Sequence, residues 1–252
     1  MRIASAVLLV LLMAGCTSQT FIGPNGEITT RAHASARMHT ELAAQYYERA
    51  QLGIALDELR QALQAESDYA PAYNVRGLVH MALREDKEAE EDFQHSLRLD
   101  GKSPETHNNY GWFLCQHGRE HESVKMFLAA LKDPLYATPE KAYLNAGICS
   151  QKAGELKDTE EFLKKAVLIR PDFPEAALAL AELNFAKGDY AAAKSYFLRY
   201  AQDNNSLTAG NLWLGVRIER ELGDKNAEDS YALQLRKRFP GSPEFKLLPP
   251  EQ

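Results

Sequence analysis

Small and bulky apolar residues recur along most of the chain at a spacing of 34 residues, or 36 at one place. Each period carries a small residue, a second small residue twelve positions later, and a bulky residue four positions after that. The first series is Ala43, Gly77, Gly111, Gly147, Ala181 and Gly215. The second is Ala55, Ala89, Ser123, Thr159, Ala193 and Ala227, and the bulky series is Leu59, Phe93, Phe127, Leu163, Phe197 and Tyr231. Each period therefore predicts two helices, A and B, that approach closely at the small residues beside one large side chain.

Proline marks the joints between these periods. Proline is disfavoured inside helices and accepted at their first turn or beyond their ends. The prolines between the predicted helices are Pro71, Pro104, Pro134, Pro139, Pro171, Pro174 and Pro240. The period and pattern are those of the tetratricopeptide repeat, and they predict an all-α, right-handed superhelical solenoid of six helix pairs. The repeats are residues 36–69, 70–103, 104–137, 140–173, 174–207 and 208–241, followed by a proline-rich tail, 242–252.

The N-terminus has the pattern of a signal peptide. Residues 1–15 contain one cation, Arg2, an apolar run too short for a stable membrane-spanning helix, and small residues at the end. Cys16 follows, and Met13-Ala14-Gly15-Cys16 resembles the bacterial lipobox, in which the cysteine is acylated. We expect lipidation at Cys16, because several acyl chains give a stable anchor where one does not. The alternative is an ordinary signal peptide with a free cysteine nearby.

The residue after the cysteine implies a location. In the sorting rule for such lipoproteins, Asp at that position retains the protein in the inner membrane, whereas this chain has Thr17. We therefore expect an outer-membrane lipoprotein that faces the periplasm. Residues 16–35 are predicted to be a flexible tether, because Gly23, Pro24, Asn25 and Gly26 cluster there without sustained periodicity.

Charge and motifs exclude several classes of function. The chain has 29 basic and 35 acidic residues, and a net charge of −6 argues against a nucleic-acid partner. Phosphate-binding and nucleophile motifs are absent. Residues 117–121, HGREH, match a zinc-protease pattern, but Gly118 falls at an A-to-B turn and would place His117 and His121 on different elements. We expect no enzyme, metal, cofactor or small-molecule substrate.

Cys115 and Cys149 lie at nearly equal heights on consecutive A helices. In an oxidising periplasm this favours a disulfide between neighbouring repeats. The alternative is two buried thiols that pack as small apolar side chains.

The concave face of a solenoid is where repeat proteins bind partners. In tetratricopeptide folds it is lined by repeat positions 2, 5, 9 and 12 of the A helices. Here those positions include Tyr47, Asn74, Leu78, Met81, Asn108, Trp112, Leu144, Ile148, Leu178, Glu182, Phe185 and Leu212. An apolar, aromatic strip of this kind suits an amphipathic helix or an extended peptide. The alternative for each residue is that it only packs one A helix against the next.

Three segments carry a family resemblance: HNNYGWFLC at 107–115, DPLYATP at 133–139 and NAGIC at 145–149. With the lipobox, tether and six repeats, they resemble the type IV pilus biogenesis lipoproteins of the PilF/PilW pilotin family. The resemblance implies an outer-membrane pilotin whose partner is the secretin subunit, the ring through which the pilus leaves the cell. Asn108 and Asn109 are candidates for hydrogen bonds to a bound backbone, although Asn109 could equally satisfy helix ends. The alternative function is a general envelope adaptor for peptidoglycan enzymes or outer-membrane assembly factors.

Overall fold

A computed structural model describes residues 20–22, 28–202 and 207–249. The expected signal peptide, 1–15, and the expected acylation site, Cys16, lie outside the described residues. The order of elements begins with two short strands, β1 (Thr20–Ile22) and β2 (Ile28–Thr30). The helices are α1 (Arg31–Glu48), α2 (Leu52–Ala65), α3 (Ala70–Leu83), α4 (Asp86–Leu99), α5 (Pro104–Gln116), α6 (Glu120–Ala130), α7 (Pro139–Lys152), α8 (Leu156–Ile169), α9 (Pro174–Ala186), α10 (Tyr190–Gln202), α11 (Ala209–Leu222) and α12 (Lys225–Arg238). None of these helices is both long and apolar enough to cross a membrane.

The twelve helices pack as six consecutive pairs. The odd-numbered helices are the A helices and the even-numbered ones the B helices, and each A helix packs most extensively against its own B helix. Each B helix then packs against the A helix of the next pair. Contacts are therefore made between neighbours in sequence, as in a solenoid whose stability is a sum over repeats and their interfaces. The predicted all-α fold of six helix pairs is confirmed.

The solenoid curves toward its A helices. Helix α1 contacts α3, and the series continues as α3 with α5, α5 with α7 and α7 with α9. Among the described residues, consecutive B helices make no contacts of comparable extent. A stack whose A helices are closer together than its B helices is concave on the A side. The groove is thus a consequence of how the two helix layers pack.

The small residues of the A helices lie directly against the bulky residues of the B helices. A Cβ atom added to Gly111 would be 2.8 Å from a ring carbon of Phe127, and one added to Gly77 would be 2.8 Å from Phe93. At Gly147 the nearest atom would be a Leu163 methyl carbon at 2.7 Å. These distances are shorter than real Cβ contacts, so glycine is required where a large side chain rests on the backbone.

The tether prediction for residues 16–35 is wrong for the described part of that segment. Strands β1 and β2 pair antiparallel, with Phe21 opposite Thr29, and α1 begins at Arg31. Thr30 caps α1, because its hydroxyl accepts a hydrogen bond of 3.1 Å from the His33 amide. The two strands are rich in β-branched and aromatic residues and flank a glycine-, proline- and asparagine-rich segment. At three residues each they are too short to give a periodic signal.

The tail folds back onto the last helix. Leu235 of α12 is fully buried in a cluster that includes Leu248, and Phe239 and Phe245 pack against the same cluster. A 3₁₀ turn at Phe245–Leu247 places these residues, and Arg236 donates a hydrogen bond to the Pro249 carbonyl. The proline-rich tail therefore covers the apolar face of α12.

The glycine contacts predict a large difference between two glycine-to-alanine substitutions. We expect Gly111→Ala to lower the free energy of unfolding by about 1 to 3 kcal/mol, because the new methyl group meets the Phe127 ring. Gly53→Ala is the matched control, since a Cβ atom there meets nothing within 4 Å. It should be neutral or stabilise by up to ~1 kcal/mol. Urea denaturation followed by circular dichroism measures both, and equal stabilities would contradict the packing argument.

Candidate functional site

Most residues predicted to line the groove are half-buried on the A helices, where one side packs and the other faces the groove. This set comprises Tyr47, Leu78, Met81, Asn108, Trp112, Ile148, Leu178 and Phe185, while Glu182 is exposed. Leu78 and Met81 pack against a core cluster that contains Phe93 and Phe113. Each of these side chains therefore contributes both to helix packing and to the groove surface.

Three predicted groove residues are buried. Asn74 and Leu144 are 7% and 8% exposed, and Leu212 has no exposed surface. Leu212 belongs to the core cluster of the last repeats, together with Tyr200 and Leu248. The Leu212 side chain is completely buried between packed helices, so the prediction that Leu212 lines the groove is wrong. Asn74 and Leu144 support the groove more than they form its surface.

Four asparagines form a hydrogen-bonded chain across α3, α5 and α7, which we call the amide ladder. The Asn145 Nδ2 donates to Asn108 Oδ1 at 3.1 Å, and the Asn108 Nδ2 donates to Asn109 Oδ1 at 3.4 Å. The Asn109 Nδ2 then donates to Asn74 Oδ1 at 3.1 Å. Asn109 is thus bonded to other side-chain amides, and none of its side-chain bonds in the described structure goes to a helix end.

The groove also holds cations that rest on aromatic rings. The Lys152 ammonium lies 6.0 Å from the centre of the Trp112 ring, and the Arg217 guanidinium lies 4.6 Å from that of Phe185. Neither cation has a carboxylate partner among the residues that the structure describes. The Arg217 Nε is buried and has no hydrogen-bond partner there. Cation–π contact holds these charges in place without neutralising them.

Glu182 lies on the same stretch of the groove as Arg217. The residue is exposed overall, but the packing around its carboxyl group replaces part of the surrounding water. This desolvation raises the pKa of the Glu182 carboxyl, and the nearby positive charge of Arg217 opposes the rise. The C-terminal half of the groove therefore combines one acid and one base that are not paired with each other within ion-pair distance.

A disulfide joins two of the helices that carry the ladder. Cys115 of α5 and Cys149 of α7 are bonded, with their Cα atoms 5.8 Å apart. Both are buried beside Phe127, Ala146 and Phe162, and Trp112 packs against this cluster. The bridge fixes α5 relative to α7, so it also fixes the distance between Asn108 and Asn145.

The two histidines of the HGREH segment lie on different elements. His117 ends α5, and Gly118 follows in the left-handed region with φ of 72°. The His117 ring bonds the Phe113 carbonyl at 2.8 Å and faces Asp86 at 3.1 Å, whereas His121 on α6 faces Glu155 at 3.3 Å. The Phe113 carbonyl, with Asp86, raises the pKa of His117. Within the described ranges, no group of three or more His, Cys, Asp or Glu side chains could hold a metal ion.

The sequence reasoning missed three groove residues: Asn145, Lys152 and Arg217. A signal existed for Asn145, because it occupies the same repeat position as Asn109 once the two-residue insertion is counted. Lys152 and Arg217 occupy repeat positions next to those assigned to the groove, and their long side chains bring the charges over the aromatic rings.

Comparison with known proteins finds matches both to individual repeats and to nearly the whole chain. Tetratricopeptide-repeat family models match residues 70–103 and 151–207. The type IV pilus assembly protein PilF of Pseudomonas aeruginosa is 29% identical over 243 residues, which cover 96% of each chain.

Two solved structures are also similar over most of their length. The crystal structure of PilW, described as a widely conserved type IV pilus biogenesis factor, is 35% identical with a TM-score of 0.77; the match covers 84% of this chain and 97% of that one. The structure of Pseudomonas aeruginosa PilF is 28% identical with a TM-score of 0.80, and the match covers 86% of this chain and 97% of that one.

The disulfide should contribute strongly to stability. It closes a loop of 34 residues, and in the chain-entropy account such a loop stabilises the fold by about 3.8 kcal/mol. We expect the Cys115→Ala, Cys149→Ala double variant to unfold at a correspondingly lower urea concentration. The unmodified chain treated with reductant is the control and should move in the same direction. Mass spectrometry before and after reduction checks the bond itself, and unchanged stability in both samples would contradict the prediction.

Proposed function

Because this chain belongs to the PilF/PilW family of tetratricopeptide-repeat proteins of type IV pilus biogenesis, we propose that it acts there as a pilotin. In this role it is a non-catalytic outer-membrane lipoprotein, anchored through Cys16, that binds the secretin subunit in its groove and promotes secretin assembly. The observation that carries the proposal is the groove itself. It presents Trp112, Leu78 and Ile148 half-buried on the A helices, the concave layer of the solenoid, beside an amide ladder with free hydrogen-bonding capacity.

The composition of the groove supports a protein partner. Half-buried aromatic and aliphatic side chains on rigid helices supply contact area at low entropic cost, which is how anchor residues at interfaces work. Trp112 is held between the disulfide cluster and the Lys152 ammonium, so its ring is already ordered before a partner arrives. A preordered anchor loses less entropy on binding.

The N-terminal hairpin supports an anchor close to the folded body. Three residues lie between Cys16 and Thr20, the first residue of β1, and the four steps from one to the other span at most about 14 Å. Both strands contact α1. A lipid on Cys16 would therefore hold the first repeat near the membrane surface, and the solenoid would extend from that point toward its partner.

The anchor proposal predicts different cellular locations for the proteins that carry two neighbouring substitutions. Cys16→Ala removes the acylation site, and we expect the protein to be released from the membrane, with loss of secretin multimers and surface pili. Thr17→Asp is the matched control that keeps the cysteine; it should move the acylated protein to the inner membrane. Membrane fractionation, secretin immunoblots and pilus counts measure both. Secretin multimers and pili that persist unchanged in the Cys16→Ala strain would refute the anchored-pilotin proposal.

The groove proposal predicts a loss of partner binding without loss of fold. We expect Trp112→Ala combined with Leu78→Ala to weaken binding to the purified secretin subunit at least tenfold, because two anchor side chains are removed. The control is Leu135→Ala with Leu168→Ala, two leucines that are 88% and 81% exposed and lie outside the groove. Circular dichroism should be helical for both.

If the folded variant with Trp112→Ala and Leu78→Ala bound the secretin subunit with wild-type affinity, the proposal that the groove is the binding site would be refuted. Recovery of wall hydrolases or outer-membrane assembly factors without secretin, by affinity purification from envelope extracts, would favour a general envelope adaptor instead.

A further inference from the structure

The amide ladder uses less than half of its hydrogen-bonding capacity. Each primary amide offers two N–H donors and an oxygen with two lone pairs. In the described structure each of the four side chains spends one or two of these on its neighbours. The Asn145 oxygen has no side-chain or backbone partner, and its residue is half-buried, whereas Asn74 at the other end is only 7% exposed. Asn145 therefore presents a free acceptor, and the half-buried Asn108 and Asn109 each keep a second N–H donor.

Helical and extended partners differ in what they can offer to such a surface. In a helix the backbone N–H and C=O groups bond to each other, so only side chains are free to bind. In an extended segment every residue has a backbone donor and acceptor that must find a partner when they are buried. A line of amides with free donors and acceptors complements the extended segment and has little to give a helix.

The length of the ladder matches a short extended segment. The ladder runs across three consecutive A helices, α3, α5 and α7. With packed helix axes about 8 to 10 Å apart, two steps span roughly 16 to 20 Å. An extended chain at about 3.3 Å per residue covers this distance with about six residues. Asn108 and Asn109 lie at the middle of that span.

The side chains around the ladder define the composition of the segment. Trp112 and Ile148 are half-buried beside it and offer apolar contact to alternate residues of a strand. The Lys152 ammonium lies over Trp112 and has no carboxylate partner among the described residues. Lys152 is exposed at the edge of the groove, and an unpaired cation there is complementary to a carboxylate.

We propose that the amide ladder binds the main chain of an extended partner segment of about six residues, with apolar residues toward Trp112 and Ile148 and an acidic residue toward Lys152. This proposal rests on the groove of the proposed function and specifies the conformation and chemistry of what it binds. The ladder amides hydrogen-bond to backbone groups and so recognise the extended shape, while Trp112 and Lys152 select the sequence.

The test begins by identifying the segment without assuming the partner. The full chain with Gln151→p-benzoylphenylalanine, an exposed groove position on α7 that leaves Trp112 and the ladder intact, is produced in the native cell and irradiated, and the cross-linked peptide is identified by mass spectrometry. A peptide from the secretin supports the proposed function, and one from another envelope protein overturns that function but leaves the binding mode to be tested on the peptide found. If no peptide is cross-linked, the groove has no occupant and the inference fails.

Three forms of the identified peptide then test the binding mode against the purified full chain. These are the unmodified peptide, a version N-methylated at alternate backbone nitrogens, and a version stapled as a helix. We expect N-methylation to weaken binding at least tenfold and the stapled helix not to bind. Full affinity of the N-methylated or the stapled peptide would overturn the inference.

Variants of the protein separate binding from structure. Asn108→Ala with Asn145→Ala should weaken the unmodified peptide at least tenfold and leave the N-methylated peptide little changed, because the lost bonds are the same. Asn184→Ala is the matched control, since Asn184 is buried and donates only to the Leu180 carbonyl of its own helix at 2.7 Å. It should lower the melting temperature without changing affinity.

Lys152→Gln should weaken binding several-fold, whereas Lys157→Gln, at an exposed lysine on α8, should not. Unchanged affinity in a folded ladder variant would also overturn the inference.

Discussion

The structure depends on one close contact that recurs along the solenoid, where a large side chain of helix B lies on the backbone of helix A. At Gly77, Gly111 and Gly147 there is no room for even one more carbon atom. The contact sets the distance between the two helices of a pair and so the outline of each unit. Because the A helices also pack against one another while the B helices spread apart, stacking such units produces curvature and a concave face. The groove is therefore a direct consequence of how the helices pack in the core.

The sequence predicts the fold well because this contact leaves a periodic trace. A small residue and a bulky one sixteen positions later recur in each repeat, and proline marks the joints, so the helix pairs could be assigned from spacing alone. The hairpin at Thr20–Ile22 and Ile28–Thr30 left no such trace, because three residues make less than two periods of alternation. The role of the tail could not be predicted either, because Phe245 and Leu248 follow no helical period. Their positions are set by packing against the apolar face of α12.

The groove could be predicted as a surface but not as a set of bonds. Repeat position indicates which side chains face inward, and for Trp112 and Leu78 this agrees with half-burial on the A helices. Repeat position does not determine how deeply a side chain is buried. Leu212 also occupies a groove position, but its side chain lies in the core of the last repeats. Nor does it give the link from Asn145 to Asn108, which depends on the register between α5 and α7, two helices separated in sequence by α6 and the DPLYATP joint. That register is held by the disulfide between Cys115 and Cys149, a long-range restraint.

The amide ladder occupies an intermediate position in terms of energy, and this is what suits it to binding. A fully buried polar group must satisfy its bonds inside the fold, because each one left open costs about 1 to 3 kcal/mol. A fully exposed amide loses little by bonding to water and therefore gains little from a partner. The ladder asparagines are partly covered and partly bonded to each other, so their orientation is fixed while some donors and acceptors stay open. Fixing the orientation in advance removes an entropic cost that a partner would otherwise have to offset. Side chains that would be a defect in a core, and of no consequence on a convex surface, can therefore provide selectivity at the bottom of a groove.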